Sequence, residues 1–123
     1  MAAIKPTVLV EGDRSVIFTW TNVTNADTFA GEVDSQFLDF ADRSFQVSGT
    51  FDSATVSIVG SNDRTTYAIL HDGLGGNASM TAAGLKQIYE SARYMRPLAS
   101  GGAGSQSVTV ILFCRRGPSG RGV

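Results

Sequence analysis

Along most of this chain hydrophobic and polar residues alternate with the period of a β-strand. The clearest instance is 51–70, FDSATVSIVGSNDRTTYAIL, where Ala54, Val56 and Ile58 alternate with Thr55 and Ser57. A period of two places successive side chains on opposite faces, as a half-buried strand requires. Gly60, Ser61, Asn62 and Asp63 are residue types that tolerate tight turns, and Tyr67 and Ile69 resume the alternation beyond them. The segment therefore predicts a hairpin. Ala54, Val56, Ile58, Tyr67 and Ile69 are expected in the core, and the turn at 60–64 is expected to face solvent or a partner. A second pairing of the same kind is expected between Tyr94-Met95-Arg96-Pro97 and Val108-Thr109-Val110.

The same pattern continues on either side. Residues 5–10 read as a short first strand, followed by a turn at 11–14. Val16, Phe18 and Trp20 alternate with Ile17, Thr19 and Thr21 in a β-branched and aromatic run. Trp20, the only tryptophan, is expected as a core anchor, with ligand stacking as the other possibility. Residues 44–50 predict a strand with Phe45 and Val47 inward, and Gly49 marks a bulge or a close approach. Residues 92–97 predict a strand with Tyr94 inward and Arg93 outward, or the reverse, and Pro97 should end it or place it at an edge. Val108, Val110, Leu112 and Cys114 alternate with Thr109, Ile111 and Phe113. Apolar residues on both faces of this last run predict burial on both sides.

Three segments resist the pattern. In 22–43, Phe29, Val33, Phe37 and Phe40 would suit one face of a short helix, or an irregular strand or long loop packing its aromatics beneath itself. In 81–90, Ala82, Leu85, Ile88 and Tyr89 have near-helical spacing that Gly84 weakens, so one or two helical turns are expected. Residues 71–77 and 99–105 are glycine-rich and predict loops, the second mobile. The sum is an all-β single domain over 1–123, a β-sandwich or jelly roll of about seven or eight short strands. A flexible basic C-terminal tail is expected over 115–123.

Composition narrows the function classes. The chain has 123 residues, enough for one self-sufficient core. Only 17% of residues are charged, which points to a surface partly covered by something other than water. Net charge is −1, so no global field attracts nucleic acid. A single cysteine, Cys114, excludes an internal disulfide and is expected as a small buried thiol. The opening residues MAAIKPTVLVEGDR hold no long apolar run, and synthesis in a cytosol is expected. Asn22-Val23-Thr24 and Asn77-Ala78-Ser79 fit the glycosylation pattern by chance in that setting.

No catalytic constellation emerges. The lone histidine, His71, would need a nucleophile and an acid that the sequence does not identify; Asp72 is adjacent, but neighbours on a strand point to opposite faces. The glycine-rich 71–77 lacks the lysine and hydroxyl of a phosphate loop. Asp27, Glu32, Asp34, Asp39 and Asp42 do not match calcium-loop spacing and are read as solvated charges. One cysteine and one histidine do not make a zinc site, and neither metal nor cofactor is expected. Arg115, Arg116 and Arg121 give a small basic end that suits phosphate contact, or equally a flexible arm that docks on an acidic neighbouring subunit. Arg93 and Arg96 flank Tyr94 and are read as interface ion-pair residues or solvent-facing charges.

The order of residues in 51–70, followed by ARYMRP at 92–97, a glycine-rich turn and SVTVIL at 107–112, resembles small structural proteins of tailed bacteriophages. In particular it is similar to head decoration, or cement, proteins with a β-sandwich fold. The resemblance covers 44–116. It implies a non-enzymatic virion protein, made in the host cytoplasm, that coats the exterior of an icosahedral shell in many copies and bridges its capsomers. The implied partners are the major capsid protein and further copies of the chain, as a dimer or trimer, with no nucleic acid, membrane or small-molecule substrate. Arg93, Arg96, Ile111, Phe113, Arg115 and Arg116 are then the expected interface residues. A carbohydrate-binding or adhesin module of a tail structure is the alternative, and would need Trp20, Tyr67 or Tyr94 exposed as a flat platform.

Overall fold

The computed structural model describes residues 3–4, 6–11, 15–24, 28–29, 42–90, 92–102 and 105–115. Within them the chain forms eleven strands: β1 (Ala3–Ile4), β2 (Thr7–Glu11), β3 (Ser15–Val23), β4 (Thr28–Phe29), β5 (Asp42–Thr50), β6 (Ala54–Ser61), β7 (Ala68–Ile69), β8 (Ser79–Met80), β9 (Gly84–Ile88), β10 (Tyr94–Gly101) and β11 (Ser107–Arg115). Nine of them build two antiparallel sheets. The larger has the order β2-β3-β11-β5-β9, and in the smaller β6 pairs with β10 on one side and with β7 and β8 on the other. The two-residue strands β1 and β4 pair in parallel. No helix occurs among the described residues. The predicted all-β sandwich is therefore the fold.

Register shows which residues face the core, because directly paired residues share a face of the sheet. In the large sheet Phe18, Leu112 and Phe45 line up across three strands, as do Val16, Cys114 and Arg43. In the small sheet Ile58 pairs with Pro97, Val56 with Ala99 and Gly60 with Met95. Apart from Arg43, Pro97 and Gly60, these residues belong to one cluster of buried hydrophobic side chains. Trp20, fully buried, is its largest member, and its ring stacks on Phe18 at 6.2 Å between centroids. Burying a side chain of that kind contributes roughly 1.5–3 kcal/mol. The expected inward residues Ala54, Val56, Ile58, Phe45 and Val47 all lie in the core.

Gly49 makes the close approach expected of it. Its φ of 114° lies in the region that favours glycine, and a Cβ there would stand 2.4 Å from the Ser107 carbonyl oxygen. The bulge itself lies on β3, where the register slips between Val108 and Val110 beside Asn22 at φ 55°. Pro97 sits inside β10, which is an edge strand, so its missing N–H breaks no ladder on the outer side.

Several expectations are corrected. The second hairpin does not form: β10 belongs to the small sheet and β11 to the large one. The crossing is made at Gly101 and Gly102, with φ of 74° and 75°, and Gln106 is buried beneath it with its side-chain amide donating to the Gly101 carbonyl at 3.0 Å. Residues 99–101 accordingly belong to β10 rather than to a loop. The helical turn expected in 81–90 is strand β9, because pairing with β5 imposes a period of two that buries Ile88 and exposes Leu85. Tyr67 is half-buried and Ile69 exposed, and Leu70 takes the core position instead. Ile111 and Phe113 are half-buried rather than enclosed. Arg115 ends β11 instead of starting a tail. The alternatives weighed for 22–43 fall largely outside the described residues, as do Arg116 and Arg121.

Candidate interaction surface

The outer face of the small sheet carries a ladder of arginine and tyrosine side chains. On β10, Tyr94, Arg96 and Leu98 point away from the core, opposite Ser61, Val59 and Ser57 of β6. The Arg96 guanidinium lies 4.4 Å from the centroid of Tyr67. Tyr94 is approached by two guanidinium groups, Arg64 at 5.1 Å and Arg93 at 5.4 Å. Each is within the range at which a cation is attracted to the negative face of an aromatic ring. Beneath them Ser57, Val59 and Ser61 are buried, so the ladder roofs the middle of β6.

Arg64 is positioned by its loop. The Asp63 carboxylate accepts the backbone N–H groups of Thr65 and Thr66, both at 2.8 Å, and the Ser61 hydroxyl at 2.7 Å. The Thr66 and Thr65 bonds, with the Ser61 hydroxyl, hold the carboxyl well below its ordinary value, at about 2. The chain passes through Arg64 at φ 65°, a conformation that non-glycine residues adopt only where surrounding contacts hold it. Arg93 is tied to the same loop by its backbone N–H, which donates to the Asn62 side chain at 3.1 Å.

The expected interface residues are not gathered in one place. Arg93 and Arg96 share the ladder on the small sheet. Ile111 and Phe113 lie on the outer face of the large sheet, beside Thr19 and Ile17. Arg115 pairs in register with Asp42 and binds its carboxylate through Nε at 2.6 Å. Arg116 lies outside the described residues. Arg64, expected in a turn facing solvent or a partner, and Tyr67, expected in the core or on a sugar-binding platform, complete the ladder, and sequence reasoning did not join either to Arg93 and Arg96. Their signal was basic residues interleaved with aromatics, but the interleaving runs across strands and becomes visible only with the register.

A second surface surrounds the loop 71–77. The Asp72 carboxylate accepts the N–H groups of Leu74 and Gly76 at 2.8 and 3.0 Å, and Lys86 closes on it at 3.5 Å. Burial of Asp72 opposes ionisation, yet the Leu74 bond, the largest influence, and those of Gly76 and Lys86 keep its carboxyl below the ordinary range. His71 binds Glu90 twice: the imidazole Nδ1 lies 2.5 Å from one carboxylate oxygen and the backbone N–H donates to the other at 2.7 Å. Burial raises the Glu90 pKa, and the His71 contacts more than offset it, so the carboxyl is held below its ordinary value. The hollow beside His71 is lined by Asp72, Gly73, Gly75, Tyr89 and Glu90, which include no hydroxyl or thiol of the Ser, Thr or Cys type. Around this braced loop Leu74 is 97% exposed, Tyr89 68% and Leu85 67%.

At the opposite edge of the large sheet, β2 exposes Val8, Leu9 and Val10 by about half. Among the described residues no group of His, Cys, Asp and Glu side chains gathers as a metal site. No protein-family model matches the chain, and no curated protein matches it.

Proposed function

We propose that this chain is a non-enzymatic assembly protein, a head decoration protein of a tailed bacteriophage that docks on the assembled shell and reinforces contacts between capsomers. The observation that carries the reading is where the large apolar side chains remain exposed. Among the described residues most sit at the two opposite edges of the large sheet, Val8, Leu9 and Val10 on β2, and Leu85 on β9 with Leu74 and Tyr89 beside it; Ile69, on β7 of the small sheet, is the exception. Exposed apolar clusters of this kind mark contact surfaces. A rigid tile that is apolar at both lateral edges suits packing among neighbours on a shell. The arginine–tyrosine ladder adds a cationic face suited to acidic neighbours.

The sugar-binding alternative is less well served. Trp20 is fully buried, and Tyr67 and Tyr94 are half-buried with guanidinium groups over their rings. The reading is tested by comparing particles made with and without the protein under heat and chelator stress. Lower survival of the depleted particles is expected. Equal survival removes the stabilising role, and absence of the chain from purified particles overturns membership of the virion.

A further inference from the structure

We infer that two copies of this chain join through β2, edge to edge and antiparallel about a two-fold axis, so that their large sheets become one continuous sheet. The inference concerns the contact between copies and stands apart from the particle they serve on.

Among the described residues β2 pairs only with β3, at the end of the large sheet. In an antiparallel ladder, alternate residues turn their N–H and C=O groups away from the partner strand. The outer side of β2 therefore presents main-chain donors and acceptors in strand geometry, which a further strand satisfies.

Its side chains ask for the same partner. Val8 and Val10 pair with Phe18 and Val16, and so lie on the core side of the sheet. They are nonetheless 47% and 52% exposed, against almost complete burial of their partners. Leu9 pairs with Ile17 on the outer face and is 53% exposed. Apolar residues are thus uncovered on both faces of one edge strand. Docking on a single face would cover only one set, whereas adding a strand alongside shields both.

The occupant is a second copy because β2 is complementary to itself. Antiparallel pairing centred on Leu9 sets Leu9 opposite Leu9, Val8 opposite Val10 and Thr7 opposite Glu11. No like charges face one another, and every apolar residue meets an apolar residue. On the outer face a row already runs from Phe113 through Ile17 to Leu9. The two-fold axis would continue it through Leu9 into the same row of the second copy. The other free edge of the sheet, β9, carries Lys86, a residue type that guards edges against pairing. A closed pair through β2 also uses the same patch twice, as a two-fold contact does.

The test uses the full chain. Sedimentation over micromolar to millimolar concentration is expected to show a monomer–dimer equilibrium. Leu9→Lys sets two cations against each other at the axis and is expected to weaken association at least tenfold. Mixing it with Leu9→Glu is expected to restore a dimer, which requires position 9 to face position 9. Directly opposed residues in such a ladder are about 4.5–5.5 Å apart, within disulfide reach. Leu9→Cys is thus expected to form a covalent dimer on oxidation, while Cys114, being buried, does not react. A monomer at every concentration, a trimer as the smallest assembly, unchanged association of Leu9→Lys, or cross-linking through Leu85→Cys in place of Leu9→Cys overturns the inference.

Discussion

The Arg96 guanidinium lies 4.4 Å from the centre of the Tyr67 ring, and this contact fastens the loop after β6 to the outer face of β10. Tyr67 precedes β7, whereas Arg96 stands in the strand on the other side of β6. The pair therefore spans the small sheet above Val59, which is buried beneath it. A double-mutant cycle with Tyr67→Leu and Arg96→Met is expected to give a coupling of about 0.5–1 kcal/mol in chemical denaturation. Additive losses would show that the two side chains are neighbours without attraction.

Gly49 and Gly75 form a matched pair of tests. Both have positive φ, 114° and 90°. A Cβ at Gly75 meets nothing within 4 Å, while at Gly49 it would strike the Ser107 carbonyl at 2.4 Å. Gly75→Ala is expected to lose only the conformational strain, about 1 kcal/mol, and Gly49→Ala about 2–4 kcal/mol because β5 and β11 must also separate. Equal denaturation midpoints for the two variants would contradict the close approach.

The core of the large sheet predicts a larger effect. Val110 is fully buried, paired with Trp20 on one side and Val47 on the other. Val110→Asp puts a carboxylate there with no compensating partner and is expected to lose at least about 3 kcal/mol. Thermal melting checks this, and a shift of only a degree or two would mean that the strand is not enclosed.

How much of this was legible in the sequence depends on the range of the interaction. The strands β3, β6 and β11 were readable because alternation is local: Val16-Phe18-Trp20 and Val108-Val110-Leu112-Cys114 declare their inward faces without reference to neighbours. Gly49 was readable as a bulge or a close approach because glycine in a strand has few other uses, and the structure selects the close approach. Partner choice was not readable. The crossing between sheets depends on the conformations of Gly101 and Gly102 and on Gln106 beneath them, and nothing local separates that arrangement from a hairpin. Strand β9 was hidden because Leu85 and Ile88 fit either period until pairing with β5 decides between them. At the ladder, Arg93 and Arg96 were visible as exposed charges. Tyr94 was visible between them, but the partner of Arg96 was not, since Tyr67 reaches Arg96 only through the register of two intervening pairings.

Asp63 predicts an acid limb of stability. Its carboxyl is lowered from 3.8 to about 2 by hydrogen bonds from Thr66, Thr65 and Ser61. A folded-state pKa below the unfolded one means that the contribution is complete above about 4 and disappears as pH falls through about 2. Melting temperatures measured between pH 5 and pH 2 should therefore decline more steeply in the native protein than in Asp63→Asn, which has no charge to lose. Identical slopes would show that the loop does not depend on this carboxylate.

Cys114 predicts the opposite limb. It stands in β11 directly across from Arg43, fully buried between the sheets. Burial pushes its thiol up from 9.0 to about 11, while the nearby Arg43 guanidinium pulls the other way. Arg43 is itself buried, its guanidinium bonded to the Met95 sulfur at 2.7 Å and the Ala92 carbonyl at 3.2 Å. Burial draws that guanidinium below its ordinary value, with Cys114 opposing. A thiol whose pKa is raised on folding contributes fully below about 9, and the contribution is lost as pH rises through about 11. The reactive species is the thiolate, so two results are expected together. A thiol reagent should leave the native protein unmodified at neutral pH yet label it at once in denaturant. Melting temperature should fall above pH 9 in the native chain and fall less in Cys114→Val, which keeps the apolar volume and removes the proton. Rapid labelling of the folded protein would place the thiol at the surface, and equal alkaline slopes would separate Cys114 from that limb.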